Sequence, residues 1–491
     1  MNNNKKIIIV GGGTAGWMTA SLFAKKWQHL PFEISLIESS NIPTIGVGEG
    51  STPYLQKLFT ALEITENEWM TACNATYKNG IKFSNWTDNS SPQSYFHPFP
   101  SEVDSLHLEA FEQQNKLRRQ GYNCAYHPDD FFLLTLLAQQ GKSPKPINGV
   151  NCENQYGYHF DSALLGQFLS TFAQKLGVKR VEADVAKVEQ SDAGEISAVE
   201  TLCGRKYTGD IFVDCTGFSA LLIEKTLKVP FISFANNLLN DSAVAIPSKK
   251  MDKLKPETVS TALNHGWAWH IPLQNRTGNG YVYSSKYLSK DAAEQELRKH
   301  IGEENIIGEA KHLKMRVGRT EKHWYKNCLA IGLSQGFIEP LEATALHITQ
   351  TTIEDFITAY DYGNTSAEKQ QWFNDKVNFN FDRIRDFIVL HYLVNTRADT
   401  KYWQDARSIE ISDYLQFIME TWVSGQDIHQ ALEKLQISQY FSSTSWHCIL
   451  ASSGIFSPPT KNDIPQSLKT WPDPIQIKQT LGKFSNNFRQ L

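Results

Sequence analysis

The sequence predicts an α/β protein: a Rossmann-like parallel sheet with helices, followed by a mainly helical C-terminal part. Three observations predict it. A β-branched run, Ile7 to Val10, leads into Gly11, Gly13 and Gly16 at GxGxxG spacing. A second apolar run, Phe32 to Ile37, ends on an acid, Glu38, about 20 residues further on. From Leu341 to Lys434 the apolar pattern turns mainly helical.

Each element follows in order. Ile7 to Val10 read as a buried strand, and Trp17 to Lys26 as the helix after it. Gly11 permits the tight turn, Gly13 lets a pyrophosphate approach the backbone, and Gly16 lets helix pack on strand. A helix N-terminus there offers free N–H groups and a positive dipole end to phosphates. Glu38 is placed to accept hydrogen bonds from ribose hydroxyls. Residues 87–101, rich in Ser, Asn and Pro, read as a loop. Residues 159–176 read as an amphipathic helix, and Val181–Val188 and Ser197–Leu202 as strands. Asp210 to Phe218 reads as a buried strand ending in a glycine turn, a feature that often closes the far side of an FAD site. Residues 256–285 read as sheet, 312–333 as two more strands, and the proline-rich end (Pro458, Pro459, Pro465, Pro472, Pro474) as loop. This divides the chain into residues 1–355, a nucleotide-binding part with inserted substrate-facing segments, and 356–491, mainly helical and substrate-binding.

Composition narrows the classes. Hydrophobic content of 41% and charged content of 20% are those of an ordinary globular protein. A net charge of −4 argues against a general nucleic-acid binder. No apolar run reaches the length of a membrane span, and a first strand near residue 6 leaves no room for a signal peptide. Seven scattered cysteines without a CxxC indicate neither a disulfide framework nor a zinc site, and no metal is expected. A cytoplasmic location follows. The 12 tryptophans exceed what a core usually needs and hint at aromatic-lined binding surfaces. A second GxGxxG is absent, which points to bound FAD with reducing equivalents arriving from elsewhere.

Three further segments carry residues suited to chemistry. In Ala75–Phe83, Lys78 sits among aromatic and small residues; composition alone favours a solvated lysine, with a partly buried one as the alternative. In Gly266–Pro272, Trp267 and Trp269 share one strand face and form either a binding wall or core packing. In Gly336–Ala345, Pro340 suits a first helical turn, with free N–H groups after it and Glu339 and Glu342 in the same turn. That arrangement equally suits a common acidic helix start.

Taken together, these segments resemble flavin-dependent halogenases of the tryptophan halogenase family, in its indole-halogenating subgroup, from Gly11 to near Trp446. Trp267, Trp269, Ile271 and Pro272 fill the WxWxIP motif. Gly46–Pro53 resembles the segment that wraps the flavin; Tyr158–Asp161 and Asp214–Phe218 also resemble family segments. The resemblance implies a flavin monooxygenase type of FAD-binding domain. It implies Lys78 and Glu342 as catalytic residues, and Thr344 and Ala345 as the halide site. It implies FAD contacts from Gly11, Gly13, Thr14, Ala15, Gly16, Glu38, Gly48, Ser51, Val185, Gly332 and Leu333. Substrate contacts fall to His97, Phe99, Trp267, Trp269, Pro340 and Trp446, with Tyr440 and Phe441 as further candidates at the C-terminal clamp.

The implied reaction uses reduced FAD from a separate NADH-dependent reductase, O2, and bromide or chloride. Hypohalous acid is made at the flavin and steered to Lys78, which polarises it by a hydrogen bond or forms a haloamine. Glu342 then stabilises the arenium cation and helps take its proton. The tryptophan pair keeps substrate from the flavin. The family's Pro-Leu-Glu-Ser-Thr-Gly becomes Pro340-Leu341-Glu342-Ala343-Thr344-Ala345 here. The lost serine bears on halide choice and makes bromide over chloride an expectation. The expected substrate is an electron-rich aromatic, an indole compound smaller or larger than free tryptophan. The alternative is a flavin-dependent aromatic monooxygenase, which the tryptophan pair and Lys78 speak against. Monomer and dimer both remain open.

Overall fold

The run Ile7–Val10 is buried on both sides, as a central parallel strand requires. In the computed structural model it is the core of strand Lys5–Val10, paired in parallel with Phe32–Glu38 on one side and Ile211–Asp214 on the other. The full sheet runs Trp324–Tyr325, Cys328–Ala330, Ile211–Asp214, Lys5–Val10, Phe32–Glu38, Lys179–Glu182. It is parallel except for the Trp324–Tyr325 edge. The structure describes residues 4–42, 48–88, 94–360, 366–437, 440–456, 458–469 and 471–491.

The chain divides into two compact units. The first comprises Met1–Ala75, Phe160–Ala235 and Lys314–Asp382 and holds the parallel sheet. Helix Thr14–Lys26 follows its first strand and packs on helix Ser162–Lys175, to which Ser21 Oγ ties it by donating to the Leu169 carbonyl at 3.3 Å. Asp161 caps the latter helix, accepting from the N–H groups of Ala163 and Leu164.

The second unit comprises Thr76–His159, Asn236–Leu313 and Arg383–Leu491. Its sheet runs Lys311–Lys314, Ser242–Ser248, Thr277–Tyr283, Gly266–Pro272, Glu257–Leu263, Gly80–Ser84, Ser94–Pro98. Among the described residues, one core of this unit gathers around Tyr281 and another around Phe111, Leu134 and Cys448.

The α/β class with helical C-terminal elements is as expected, but several elements differ. The first helix begins at Thr14, not Trp17, because Gly13 takes the extended N-cap geometry (φ −72°, ψ −178°) and puts Gly16 in the first turn. Residues 87–101 are not all loop: Ser94–Pro98 is a strand paired with Gly80–Ser84, carried by the β-favouring Tyr95 and Phe96. Residues 159–161 end a strand, Gly157–Asp161, before the helix begins. Val181–Val188 breaks into two strands of different sheets, Lys179–Glu182 and Val185–Gln190. Residues 312–333 hold four short strands rather than two. The proline-rich end contains helix Pro474–Phe484, started by Asp473 as cap and Pro474 at the first helical position. Among the described residues no helix is long and apolar enough to cross a membrane, and no cluster of three or more His, Cys, Asp or Glu could hold a metal. None of the seven cysteines is in a disulfide.

Candidate active site

The glycine turn in the first unit has the geometry of a dinucleotide cradle. Gly11 sits at φ +113°, and a Cβ there would lie 2.1 Å from the Cys215 carbonyl oxygen. A Cβ on Gly16 would lie 2.0 Å from the Gly11 oxygen, so this glycine protects the turn itself. Gly13 faces open space, where a Cβ would meet nothing within 4 Å. The helix it starts has no side-chain cap and no acid in its first turn, so its N–H groups are left for an anion. Ala15 in that turn meets Gly332, whose Cβ would come within 2.6 Å of the Ala15 Cβ. Thr14 donates to the Ser162 carbonyl at 3.1 Å. These features fit the pyrophosphate of FAD.

Glu38 lies beside this cradle. One carboxylate oxygen accepts from the Trp17 indole at 3.1 Å and the other from Arg180. The carboxylate passes over Gly12, where a Cβ would fall 1.6 Å from Glu38 Oε2. The sequence reading missed Gly12, although its place in the GGG run was visible. Gly48 and Gly50 bound a short strand, with Ser51 buried after it; Gly46 and Val47 lie outside the described residues. Burial pushes the Glu49 carboxyl up to about 7, opposed by a hydrogen bond with Ser162 and supported by Asp161. Val185 opens a strand and packs partly against the core of the sheet; Leu333 lies half-buried in the Gly332–Ser334 turn.

The acidic loop is also in the first unit. Pro340–Glu342 form one 3-10 turn, Ala343 takes a left-handed φ of +56°, and helix Ala345–Ala359 begins after Thr344. Pro340 and Ala345 are exposed, whereas Glu342 and Thr344 are buried. The helix has no side-chain cap, and the buried Thr344 hydroxyl has no hydrogen-bond partner among the described residues. An uncapped helix start beside an unsatisfied hydroxyl suits a halide ion.

The lysine belongs to the second unit. Strand Thr76–Lys78 pairs antiparallel with the strand that carries His159, and Lys78 faces Gly157. Its side chain is fully buried. Asn79 anchors the next step, donating to the Pro256 carbonyl at 2.6 Å and accepting from Phe99 N–H at 2.9 Å. This brings Lys78 Nζ to 5.3 Å from the Phe99 ring centroid. The lysine is therefore not the solvated one that composition allowed.

Trp267 and Trp269 lie on one strand with ring centroids 6.2 Å apart and planes at 59°. Trp269 faces Gly280 on the neighbouring strand, where a Cβ would lie 1.9 Å from the indole. His97 and Trp446 are brought together through Phe387. That ring is 6.1 Å from His97 and 4.9 Å from Trp446, and stacks on Phe441 at 3.7 Å. Phe387 escaped the sequence reading because a phenylalanine inside helix Ala367–Leu393 looks like any core residue. Tyr440 is half-buried just before Phe441.

A family model for tryptophan halogenase matches residues 6–465. The chain belongs to the tryptophan halogenase family. Its relatives include tryptophan 6-halogenase SttH of Streptomyces toxytricini, 38% identical over 448 residues that cover 86% of this chain and 84% of that protein. Tryptophan 7-halogenase RebH of Lentzea aerocolonigenes is 34% identical, covering 92% of this chain and 89% of that protein. Among solved structures, a flavin-dependent halogenase from Xanthomonas campestris superposes with a TM-score of 0.88 at 32% identity, covering 100% of this chain and 97% of that one. The halogenase is thus a flavin-dependent enzyme, and its α/β fold is that of the family.

Proposed function

We propose that this halogenase transfers halogen from hypohalous acid, steered by Lys78, to an electron-rich ring of an indole compound. The observation that carries the reading is the buried Lys78 amine held 5.3 Å from the Phe99 ring. A long amine fixed beside an aromatic wall can meet an oxidant and a flat substrate in one orientation. When bound, reduced FAD would reduce O2, the oxidant whose power turns halide into hypohalous acid.

The chain's own residues do the rest. The Gly11–Gly16 turn holds the cofactor's pyrophosphate, assisted by Thr14, Ala15, Gly332 and Leu333. Glu38 takes ribose hydroxyls, and Gly48, Ser51 and Val185 line the cofactor. Thr344 and the first N–H groups of helix Ala345–Ala359 hold the halide. Ala343 lacks the hydroxyl that serine would place there, which supports bromide being used in preference to chloride. Lys78 presents the oxidant so that halogen bonds to a ring carbon while hydroxide departs and leaves as water once protonated. Glu342 stabilises the arenium cation and takes the ring proton. The family resemblance assigns His97, Phe99, Pro340 and Trp446 to the indole, and Trp267 and Trp269 to keeping it from the cofactor. Residues 1–355 act as the FAD-binding part with substrate-facing insertions, completed by 356–491. The compact units divide the chain differently: insertions 76–159 and 236–313 group with Arg383–Leu491, and residues 314–382 group with the cofactor part. A separate NADH-dependent reductase supplies reduced FAD, consistent with the single glycine fingerprint. Seven cysteines without a disulfide fit a cytoplasmic enzyme.

The test is a pair of variants. Lys78→Ala should reoxidise reduced flavin at the parent rate yet form no halogenated product. Glu342→Gln should lose about 100-fold in halogenation rate. Parent halogenation by Lys78→Ala would overturn the lysine role, and a parent halogenation rate in Glu342→Gln would overturn the glutamate role. Hydroxylated product formed without halide would favour the monooxygenase.

A further inference from the structure

We propose that Thr76 and His159 are a positioning pair for Lys78, fixing the lysine strand to the strand that ends at Pro272. The proposal rests on the Lys78 reading above.

Thr76 lies two residues before Lys78, so both side chains share one face of the strand. Thr76 and His159 face each other in register and are both buried, His159 completely. Thr76 Oγ1 is 2.7 Å from the Pro272 carbonyl oxygen. A carbonyl only accepts, so the single hydroxyl proton of Thr76 is committed there. Thr76 Oγ1 is also 3.2 Å from His159 Nδ1. With its proton used, the hydroxyl must accept, and Nδ1 must carry the hydrogen. His159 Nε2 is then bare, and it lies 2.9 Å from Thr258 Oγ1, which donates to it. One neutral tautomer satisfies the whole chain: Thr258 to His159 to Thr76 to Pro272. Burial holds the imidazole neutral, well below its ordinary pKa, and the nearby Lys78 charge acts in the same direction.

This chain of hydrogen bonds joins four strands. Thr258 lies on Glu257–Leu263, Pro272 ends the strand of Trp267 and Trp269, and His159 and Thr76 lie on their own pair. The lysine strand is three residues long and lies at the edge of its sheet, paired with Gly157–Asp161. Its height relative to the tryptophan strand is set by the Thr76 contact on the side of the lysine face, together with the Asn79–Pro256 bond one residue beyond Lys78. His159 has both ring nitrogens engaged and no exposed surface, so it acts through Thr76 and not on substrate. If the strand shifts, the amine is present but misplaced, and hypohalous acid escapes before it reacts.

The experiment compares Thr76→Val, Thr76→Ser and Lys78→Ala, each supplied with FAD, reductase, NADH, bromide and indole. Product is measured per reduced flavin consumed, and escaped hypobromous acid with a scavenger dye. Thr76→Val keeps the shape and removes the hydroxyl. It should bind FAD and reoxidise reduced flavin within about twofold of the parent. Its product yield should fall about tenfold, with the missing oxidant appearing in the dye. Thr76→Ser should restore the yield to within about twofold. Equal yields in Thr76→Val and the parent overturn the proposal, as does a failure of Thr76→Ser to rescue. If Thr76→Val does not fold, Thr258→Val carries the same expectation from the far end of the chain, and parent yield there overturns it. The two readings fail differently. A Lys78→Ala protein that halogenates normally removes the lysine role, whereas an inactive Lys78→Ala beside a fully coupled Thr76→Val removes the positioning pair alone.

Discussion

Lys78 Nζ lies 5.3 Å from the centroid of the Phe99 ring, and the two are tied through Asn79, whose carbonyl accepts from the Phe99 N–H. An amine and an aromatic face are thereby held on one scaffold of strands. The relation separates two effects. Phe99→Leu should weaken aromatic substrate binding by about 1 kcal/mol, roughly a fivefold rise in KM, with kcat within about twofold. Steady-state halogenation at varied indole measures this. A kcat that collapses with KM unchanged would mean that Phe99 acts on chemistry through Lys78.

Gly13 gives a sharper test of the cofactor cradle. A methyl there meets nothing within 4 Å in the protein itself. Gly13→Ala should therefore fold like the parent, with a thermal midpoint within about 2 °C, while losing at least about tenfold in FAD affinity. Flavin fluorescence titration against thermal unfolding of the apoprotein reads both. Unchanged affinity would place the pyrophosphate elsewhere.

Gly280 and Trp269 make a comparable pair in the sheet. A Cβ at Gly280 would lie 1.9 Å from the indole, so Gly280→Ala must displace the Trp269 ring. The expected cost is about 1–3 kcal/mol of stability, as for other overpacked cores. Loss of the wall should also raise flavin consumption without product. Denaturant unfolding and product per flavin measure the two effects; a variant unchanged in both would show that the wall tolerates displacement.

The legible parts of this protein were those with local rules. The strand–glycine–helix turn needs Gly11 and Gly16 for reasons written in the backbone, and the carbonyls of Cys215 and Gly11 confirm them. Glu38 stands where the spacing put it, but its contacts with Trp17 and Arg180 and its passage over Gly12 depend on the fold. The burial of Lys78 could not be read from composition, which favours solvated lysines; only its short strand and the Phe99 loop decide it. Phe387 was invisible as a site residue, and His159, though inside the Tyr158–Asp161 segment, carried no role. Their partners come from segments far apart in sequence. Strand Ser94–Pro98 was lost to the weight given to Ser, Asn and Pro around it.

His323 predicts an acid dependence of stability. Burial, with Arg319 adding, pushes its imidazole down to about 3 from 6.5. Between those values the unfolded chain binds a proton that the folded chain does not. Stability is therefore full above pH 6.5 and falls as pH drops through that window. The slope from this one residue reaches about 1.4 kcal/mol per pH unit. His347, also pushed down to about 3, and His447, to about 4, act in the same direction. Glu49 and Asp104, each raised to about 7 by burial, act in the opposite one, losing stability as pH rises towards 7. His323→Gln should flatten the acid slope by roughly 1.4 kcal/mol per pH unit in urea unfolding. Parallel slopes for parent and variant would contradict the assignment.

Halogen transfer to an indole compound is read by mass spectrometry of the reaction mixture. The enzyme is incubated with FAD, a flavin reductase, NADH and air, and offered indole or tryptophan with bromide or chloride. A halogenated indole product that requires enzyme and halide is expected, with the bromine isotope doublet stronger than the chlorinated product at equal halide. A hydroxylated product formed equally well without halide would contradict halogen transfer.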